Sequence, residues 1–393
     1  MRNALLLTLY SWSRGLLFCI PVITIFWHRQ IGMSQTDIMT LQAIFSLVLA
    51  SMEFPTGYVA DRIGYRNALI ISALLCIGGW VAYCLGRNFA GIVLAEALLG
   101  VGIAFHSGAD SALLHQSLVA EQQEALYVRH EGRLRAAMQV GEAASSSIGG
   151  WLYTISPRLP LWLQIPGAVL SLLFALALRR PPGERPRPRS HLRHMLGLVR
   201  TSLWSDRQLA SILWLGVVLS LATFVTVWLI QPYMALWGVP EAWFGPIWAA
   251  ANLWVAVASL GANAIATRFG VRGALFSCVA MVAAGYLLLA LTGSWWTWSF
   301  YFLLMSLRGI NIPIVTSEML KRTAEGDRAS VLSLKSMIFR FAFVAAGPGV
   351  GILVDRIGLT FTLGMVGIVL TLFSLAAFLD FRRSTPSSVR TAP

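Results

Sequence analysis

Long apolar runs alternate with short polar breaks along almost the whole chain. Divided into stretches of roughly 20 residues, the length an α-helix needs to cross a hydrocarbon core, they fall at 4–27, 38–60, 67–86, 90–114, 136–155, 160–178, 208–231, 243–265, 274–293, 295–316, 330–354 and 360–379. Backbone polar groups exposed to lipid must be satisfied within their own segment, so each stretch is predicted to be helical. The pattern predicts an all-α membrane protein with twelve transmembrane helices.

One long polar stretch interrupts the pattern. The run "RRPPGERPRPRSHLRH" from Arg179 is rich in Pro and Arg, has no apolar periodicity and cannot bury a core. It is read as a linker over 179–207, between six-helix bundles at 1–178 and 208–381, with a tail at 382–393. The bundles look like repeats of one another. "GYVADRIGYRNAL" from Gly57 and "NAIATRFGVRGAL" from Asn263 occupy matching positions, and a third similar run, Asp355-Arg356-Ile357-Gly358, follows the eleventh span. Matched halves are a recurring construction of membrane carriers.

Charge fixes the orientation. Charged residues are only 12% of the chain against 57% hydrophobic, too few to cover the surface of a soluble protein, which averages about 25%. The net charge of +13 comes from arginines gathered on alternate loops: Arg62 and Arg66, Arg129 to Arg135, the linker, Arg268 and Arg272, Lys321 to Arg328, and the tail. The other side receives only Arg29, Arg87, Arg158 and Arg356. Such asymmetry marks the cytoplasmic side and places both termini there. It also accounts for the basic charge without nucleic acid; the linker cations suit anionic lipid headgroups instead. The four cysteines lie in apolar spans without paired spacing, so buried free thiols are expected, and neither a metal site nor a cofactor is indicated. The N-terminal run continues past Arg14 with no small-residue cleavage site, so it is read as a retained first helix.

The loop after the second span carries a resemblance. Gly57-Tyr-Val-Ala-Asp61-Arg62-Ile-Gly64-Tyr-Arg66 resembles the loop 2–3 signature of the major facilitator superfamily, and Glu53-Phe-Pro-Thr before it is similar to a bacterial subgroup with "E-x-P-T-G" there. "SGADSALL" from Ser107 and "RASVLSL" from Arg328 fit the same subgroup. The resemblance implies two six-helix bundles in a bacterial inner membrane, access alternating by rocking, and a gating loop of Gly57, Asp61, Arg62, Gly64 and Arg66. Asp61 is expected to cap a neighbouring helix N-terminus, and the cations to pair with acids of the other half. The second copy departs from the signature with Thr267 in place of the acid, and the fourth span has Glu96 where the family has an Arg.

Charges inside the spans are the remaining signal. Each costs about 2.5–3.5 kcal/mol on insertion scales and persists where it is paired or faces water. They concentrate in spans that line the cavity in the family fold: Arg14 in span one, Glu96 and Asp110 in span four, Arg308 in span ten, with Glu142 in span five and Arg340 in span eleven. Glu96 and Asp110 are fourteen residues apart, which on one continuous helix places them on nearly the same face. A carboxyl removed from water favours its protonated form. Glu96 and Glu142 are therefore either proton carriers or static partners of Arg14 and Arg340. Arg14 and Arg308, with Asn311 one turn on, could grip an anionic solute, and Asp110 suits a gating salt bridge. The expected function is a proton-coupled secondary transporter exporting a small solute, with no phosphate-binding loop for ATP. Proton-coupled uptake of an organic anion or a siderophore-like solute is the alternative. A receptor or membrane enzyme on the same fold is a third class, although no catalytic constellation is evident. The expected partners are a small molecule, protons and lipid, and the expected state is a monomer.

Overall fold

The computed structural model describes residues 2–181, 206–324 and 327–384. The chain is helical throughout, with no strand among the described residues. The long helices are α1 (Arg2–Arg14), α2 (Gln35–Ile63), α3 (Tyr65–Leu85), α4 (Phe89–His106), α5 (Ala109–Ala120), α6 (Tyr127–Ile155), α7 (Gln164–Ala177), α8 (Arg207–Leu236), α9 (Phe244–Leu291), α10 (Tyr301–Lys321), α11 (Arg328–Ile357) and α12 (Leu359–Ser384). Nine helical segments among the described residues are long and apolar enough to cross a membrane.

Twelve stretches become nine for local reasons. The predicted helix 4–27 is not continuous: α1 stops at Arg14, and the chain resumes as a 3-10 turn at Ile20–Val22, a short helix at Ile23–Phe26 and a π-turn at Trp27–Ile31. Span five forms within α6 but carries too many polar residues to qualify by apolarity. Spans eight and nine run together as α9, interrupted at Gly270, whose backbone is not helical. Span four is also broken. Gly108, at φ +78°, separates α4 from α5, so Glu96 and Asp110 do not share one helical face.

The repeated loops share a backbone as well as a sequence. Gly64 has φ/ψ of 89°/145°, Gly270 72°/161° and Gly358 86°/159°. This region is open essentially only to glycine, which is why the D-R-I-G, T-R-F-G and D-R-I-G runs each end in one.

The chain divides into two compact units, residues 1–189 with 239–250, and residues 190–238 with 251–393. The start of α9 therefore packs with the first unit. In that unit a cluster of buried small and aliphatic residues (Leu7, Ala60, Ala68, Leu113, Leu134 and Ala175 among them) joins α1, α2, α3, α5, α6 and α7. Lipid is as apolar as these side chains, so close van der Waals packing holds the helices together. Glycines allow it: a Cβ on Gly15 would strike the carbonyl of Met138, one on Gly141 would lie 2.6 Å from Trp12 O, and one on Gly149 would strike Phe18 O. In the second unit α12 leaves Phe361, Ile368, Leu372 and Phe373 exposed along one face, as a lipid-facing helix requires. The 182–205 part of the linker, with Arg185, Arg187, Arg189, His191, Arg193, His194 and Arg200, lies outside the described residues, as does the tail beyond 384.

Candidate functional site

Glu96 lies two turns into α4, buried at 7% exposure. The Tyr83 hydroxyl on α3 donates to Glu96 Oε1, and Gln42 Nε2 on α2 donates to the same oxygen at 3.3 Å. No cation pairs with this carboxyl among the described residues, so it is not the static partner of Arg14. Trp27 stacks on Tyr83 with centroids 6.5 Å apart, which covers the site on one side. The result is an acid inside the membrane held only by neutral donors.

Arg14 is engaged elsewhere. Its Nη1 donates to Ser72 Oγ at 3.0 Å and to Cys76 Sγ at 3.6 Å, both on α3, and its guanidinium lies 5.9 Å from the Tyr10 ring. Ser72 Oγ in turn donates a hydrogen bond to Gly102 O on α4 at 2.6 Å. Arg14 thus closes α1 against α3. The break that follows it would leave backbone groups unsatisfied in lipid. Leu17 N donates to Ser145 Oγ at 2.7 Å. The Gln164 amide, oriented to donate to Leu16 O at 2.6 Å, accepts from Phe18 N at 2.8 Å and Cys19 N at 3.0 Å. Two polar side chains from α6 and α7 therefore replace the missing helical bonds.

At the basic-loop end of the first unit, Asp110 is almost fully buried. Its Oδ2 lies 3.5 Å from His106 Nε2 and 4.0 Å from Arg135 Nη1, while Arg135 also binds Glu131 at 2.8 Å. The charges of the 57–66 loop are likewise satisfied within this unit. Asp61 does not cap a helix; its Oδ1 accepts from Tyr65 OH at 2.8 Å. Arg62 stacks on Tyr58 at 4.4 Å. Arg66 donates to Leu178 O and Leu176 O, each at 2.7 Å, and so caps the C-terminal carbonyls of α7, where the helix dipole favours a cation. Gly57 has open space around it, and Gly64 makes the turn.

At the opposite end, α6 meets the start of α9 within the same unit. A Cβ on Gly150 would strike Glu241 O, and one on Gly245 would lie 2.6 Å from Ser147 O. Arg29 pairs with Glu241 across this contact. Partial burial works against the ionised Glu241, but the Arg29 hydrogen bond outweighs it and holds the carboxyl below its ordinary value. One turn further along α9, Trp248 Nε1 donates to Glu142 Oε1 at 3.3 Å.

In the second unit, Arg308 and Asn311 lie on α10, and Arg340 on α11. Asn311 is 1% exposed, and its Oδ1 has no hydrogen-bond partner. Three buried hydroxyls brace the neighbouring helices: Thr226 donates to Tyr286 at 2.9 Å, Tyr286 to Ala222 O at 2.7 Å, and Tyr233 to Thr292 O at 3.0 Å. No grouping of His, Cys, Asp and Glu suited to a metal occurs among the described residues, and all four cysteines are buried and unpaired.

The structure therefore joins Glu96 to Tyr83 and Gln42, Glu142 to Trp248, and Asp110 to His106 and Arg135. It does not join Arg14 to Glu96. Sequence reading passed over Gln42, Tyr83, Ser145 and Gln164. Their signal was available: each is a hydrogen-bonding residue inside an otherwise apolar run.

Residues 4–317 match the family described as Major Facilitator Superfamily. The raffinose permease of Escherichia coli is 25% identical over 406 aligned positions, covering 93% of this chain and 92% of that protein. The quinolone resistance protein NorA of Staphylococcus aureus is 21% identical over 168 residues, 43% of this chain and 42% of its own. Among solved structures, the nucleoside transporter NupG superposes with a TM-score of 0.78 at 15% identity, over 99% of this chain and 100% of that one.

Proposed function

The chain belongs to the major facilitator superfamily, and from that membership we propose that this membrane transporter is a proton-coupled exporter of a small organic solute working by alternating access. The observation that carries the coupling is the Glu96 carboxyl, buried in a membrane-spanning helix with Tyr83 and Gln42 as its donors among the described residues. Without a cation partner, an ionised group there bears the full cost of a membrane charge, and taking up a proton relieves it. Glu142, which accepts from the Trp248 indole where α6 meets the start of α9, is the second carrier. The basic loops face the cytoplasm of a bacterial inner membrane, and the protein works as a monomer.

Export draws its support from the resistance protein NorA, whose likeness covers less than half of the chain. A second reading, uptake of an organic anion, is favoured by two observations. The relative aligned over 93% of the chain is a permease, and in the second unit the membrane cation Arg308 has no counter-ion among the described residues. Proteoliposomes with an imposed pH gradient and a trapped pH dye decide between them. A solute that alkalinises or acidifies the lumen on addition identifies the coupling, and its sign gives the direction. Proton-driven transport that survives in both Glu96→Gln and Glu142→Gln would remove the carboxylates from the mechanism.

A further inference from the structure

Lys335 occupies the second turn of α11, seven residues from Arg328 and so about 10 Å along the helix. It is half-buried and lies against α8 and α10. A Cβ on Gly216 of α8 would stand 2.6 Å from Val315 Cγ1 of α10, 3.0 Å from Lys335 Cε and 3.4 Å from Lys335 Nζ. Glycine at 216 is what leaves room for the ammonium. Val315 is seven residues beyond Arg308, so the two lie on one face of α10 about 10 Å apart, with Asn311 between them.

Neither Lys335 nor Arg308 has a side-chain hydrogen bond or ion pair among the described residues. The helices of their own unit offer no free counter-ion. No acid occurs on α8 or α9, and α10 has only Glu318, already bound by Lys321 at 2.7 Å and Arg322 at 2.6 Å. On α11 the one acid is Asp355, twenty residues and about 30 Å from Lys335, and Asp380 of α12 is held by Arg207 at 2.7 Å. On another face of α10, near its end, a cavity of about 550 Å³ is lined by Thr316, Ser317, Lys321 and Arg328 together with apolar residues, and no carboxylate borders it. Arg328 is on the same face of α11 as Lys335, two turns nearer the helix end.

A membrane cation persists where a counter-charge or water meets it. We propose that Lys335 and Arg308, with Asn311 between them, form an anion-binding track in the second unit, and that the transported solute carries a carboxylate or phosphate group. The assignment rests on the transporter reading above and holds for either direction of transport. Lys335 supplies a compact point charge, Arg308 a planar fork, and Asn311 an amide that accepts or donates beside them.

The test is equilibrium binding to the purified full chain, read by thermal shift and calorimetry. The probes are benzoate against benzamide, succinate against succinamide, and inorganic phosphate, in detergent and in nanodiscs of phosphatidylcholine with or without phosphatidylglycerol. At least one anion is expected to bind, with its neutral counterpart at least tenfold weaker. Lys335→Gln and Arg308→Gln should each weaken that anion about tenfold or more, while Lys335→Arg stays within about threefold of the parent. Gly216→Ala keeps every charge but crowds Lys335, and should weaken the anion with little effect on the neutral probe. The proposal is overturned if neutral probes bind equally well, or if no anion binds up to about 10 mM. It is equally overturned if folded Lys335→Gln and Arg308→Gln proteins keep the parent affinity. Stabilisation by phosphatidylglycerol alone would reassign the cations to a lipid headgroup. A chain that binds anions but shows no counterflow removes the transport reading and leaves this one standing; counterflow of neutral solutes alone does the reverse.

Discussion

Tyr83 donates its hydroxyl to Glu96, from α3 to α4, and the indole of Trp27 stacks on the donor's ring. The acid is thus held by a group that cannot neutralise it. Tyr83→Phe removes one of the two donors to the buried oxygen and should lower stability by about 1–3 kcal/mol, seen as a lower melting temperature. Glu96→Gln should separate two activities: solute exchange without a gradient continues, and accumulation driven by a pH gradient is lost. Equal loss of both would point to a structural role for the acid.

The break in the first span makes a second prediction. Ser145 and Gln164 satisfy the amides of Leu17, Phe18 and Cys19. Ser145→Ala leaves the Leu17 amide without its partner and should cost about 1–3 kcal/mol; Gln164→Leu, which removes three bonds at once, should cost more. Hydrogen exchange at residues 16–19 should rise in both. Unchanged protection there would mean the backbone has other partners.

The three matched loops predict a common sensitivity. Gly64, Gly270 and Gly358 hold nearly the same conformation, and alanine at each should cost on the order of 1–3 kcal/mol in strain alone. Gly57, with open space and a helical backbone, should accept alanine without loss. Four melting curves on the single variants check this, and a stable Gly64→Ala protein would refute the shared constraint.

Acid should release the Arg29–Glu241 ion pair. The folded Glu241 carboxyl lies below its ordinary value of 4.5, so the pair's contribution is complete above that value and is lost as pH falls through the depressed one. Arg29 is 45% exposed, which limits the effect to about 1 kcal/mol or less. The melting-temperature difference between the parent and Glu241→Gln should be constant from neutral pH to about pH 5 and shrink progressively as the pH falls below the ordinary carboxylate value. A difference that persists at the acid end would not be ionic.

How much of this was legible in the sequence varied with the kind of signal. The membrane class and the repeated D-R-I-G loops were plain, because hydropathy and left-handed glycine positions are properties of a residue and its near neighbours. The helix breaks at Gly15–Cys19 and Gly108 were not. An apolar run reads the same whether its amides are bonded along the helix or to Ser145 and Gln164 from other helices. For the same reason Glu96 and Asp110 were placed on one face, a register that Gly108 cancels. Of the two readings of Glu96, the static pairing with Arg14 is not formed, because the bundle offers the guanidinium a hydroxyl, a thiol and an aromatic face instead. Lys335 carries no distinguishing signal in the sequence, since its setting depends on Gly216 across the helix interface.

Cys19, Cys76, Cys84 and Cys278 are each 8% exposed or less. An alkylating dye therefore meets a nearly silent background in the native protein. A single reporter cysteine placed beside the Arg29–Glu241 pair, at the exposed Gln30, can be followed by its labelling rate without first stripping the chain of its own sulfur, so accessibility at the contact of α6 with the start of α9 can be read with the ion pair intact.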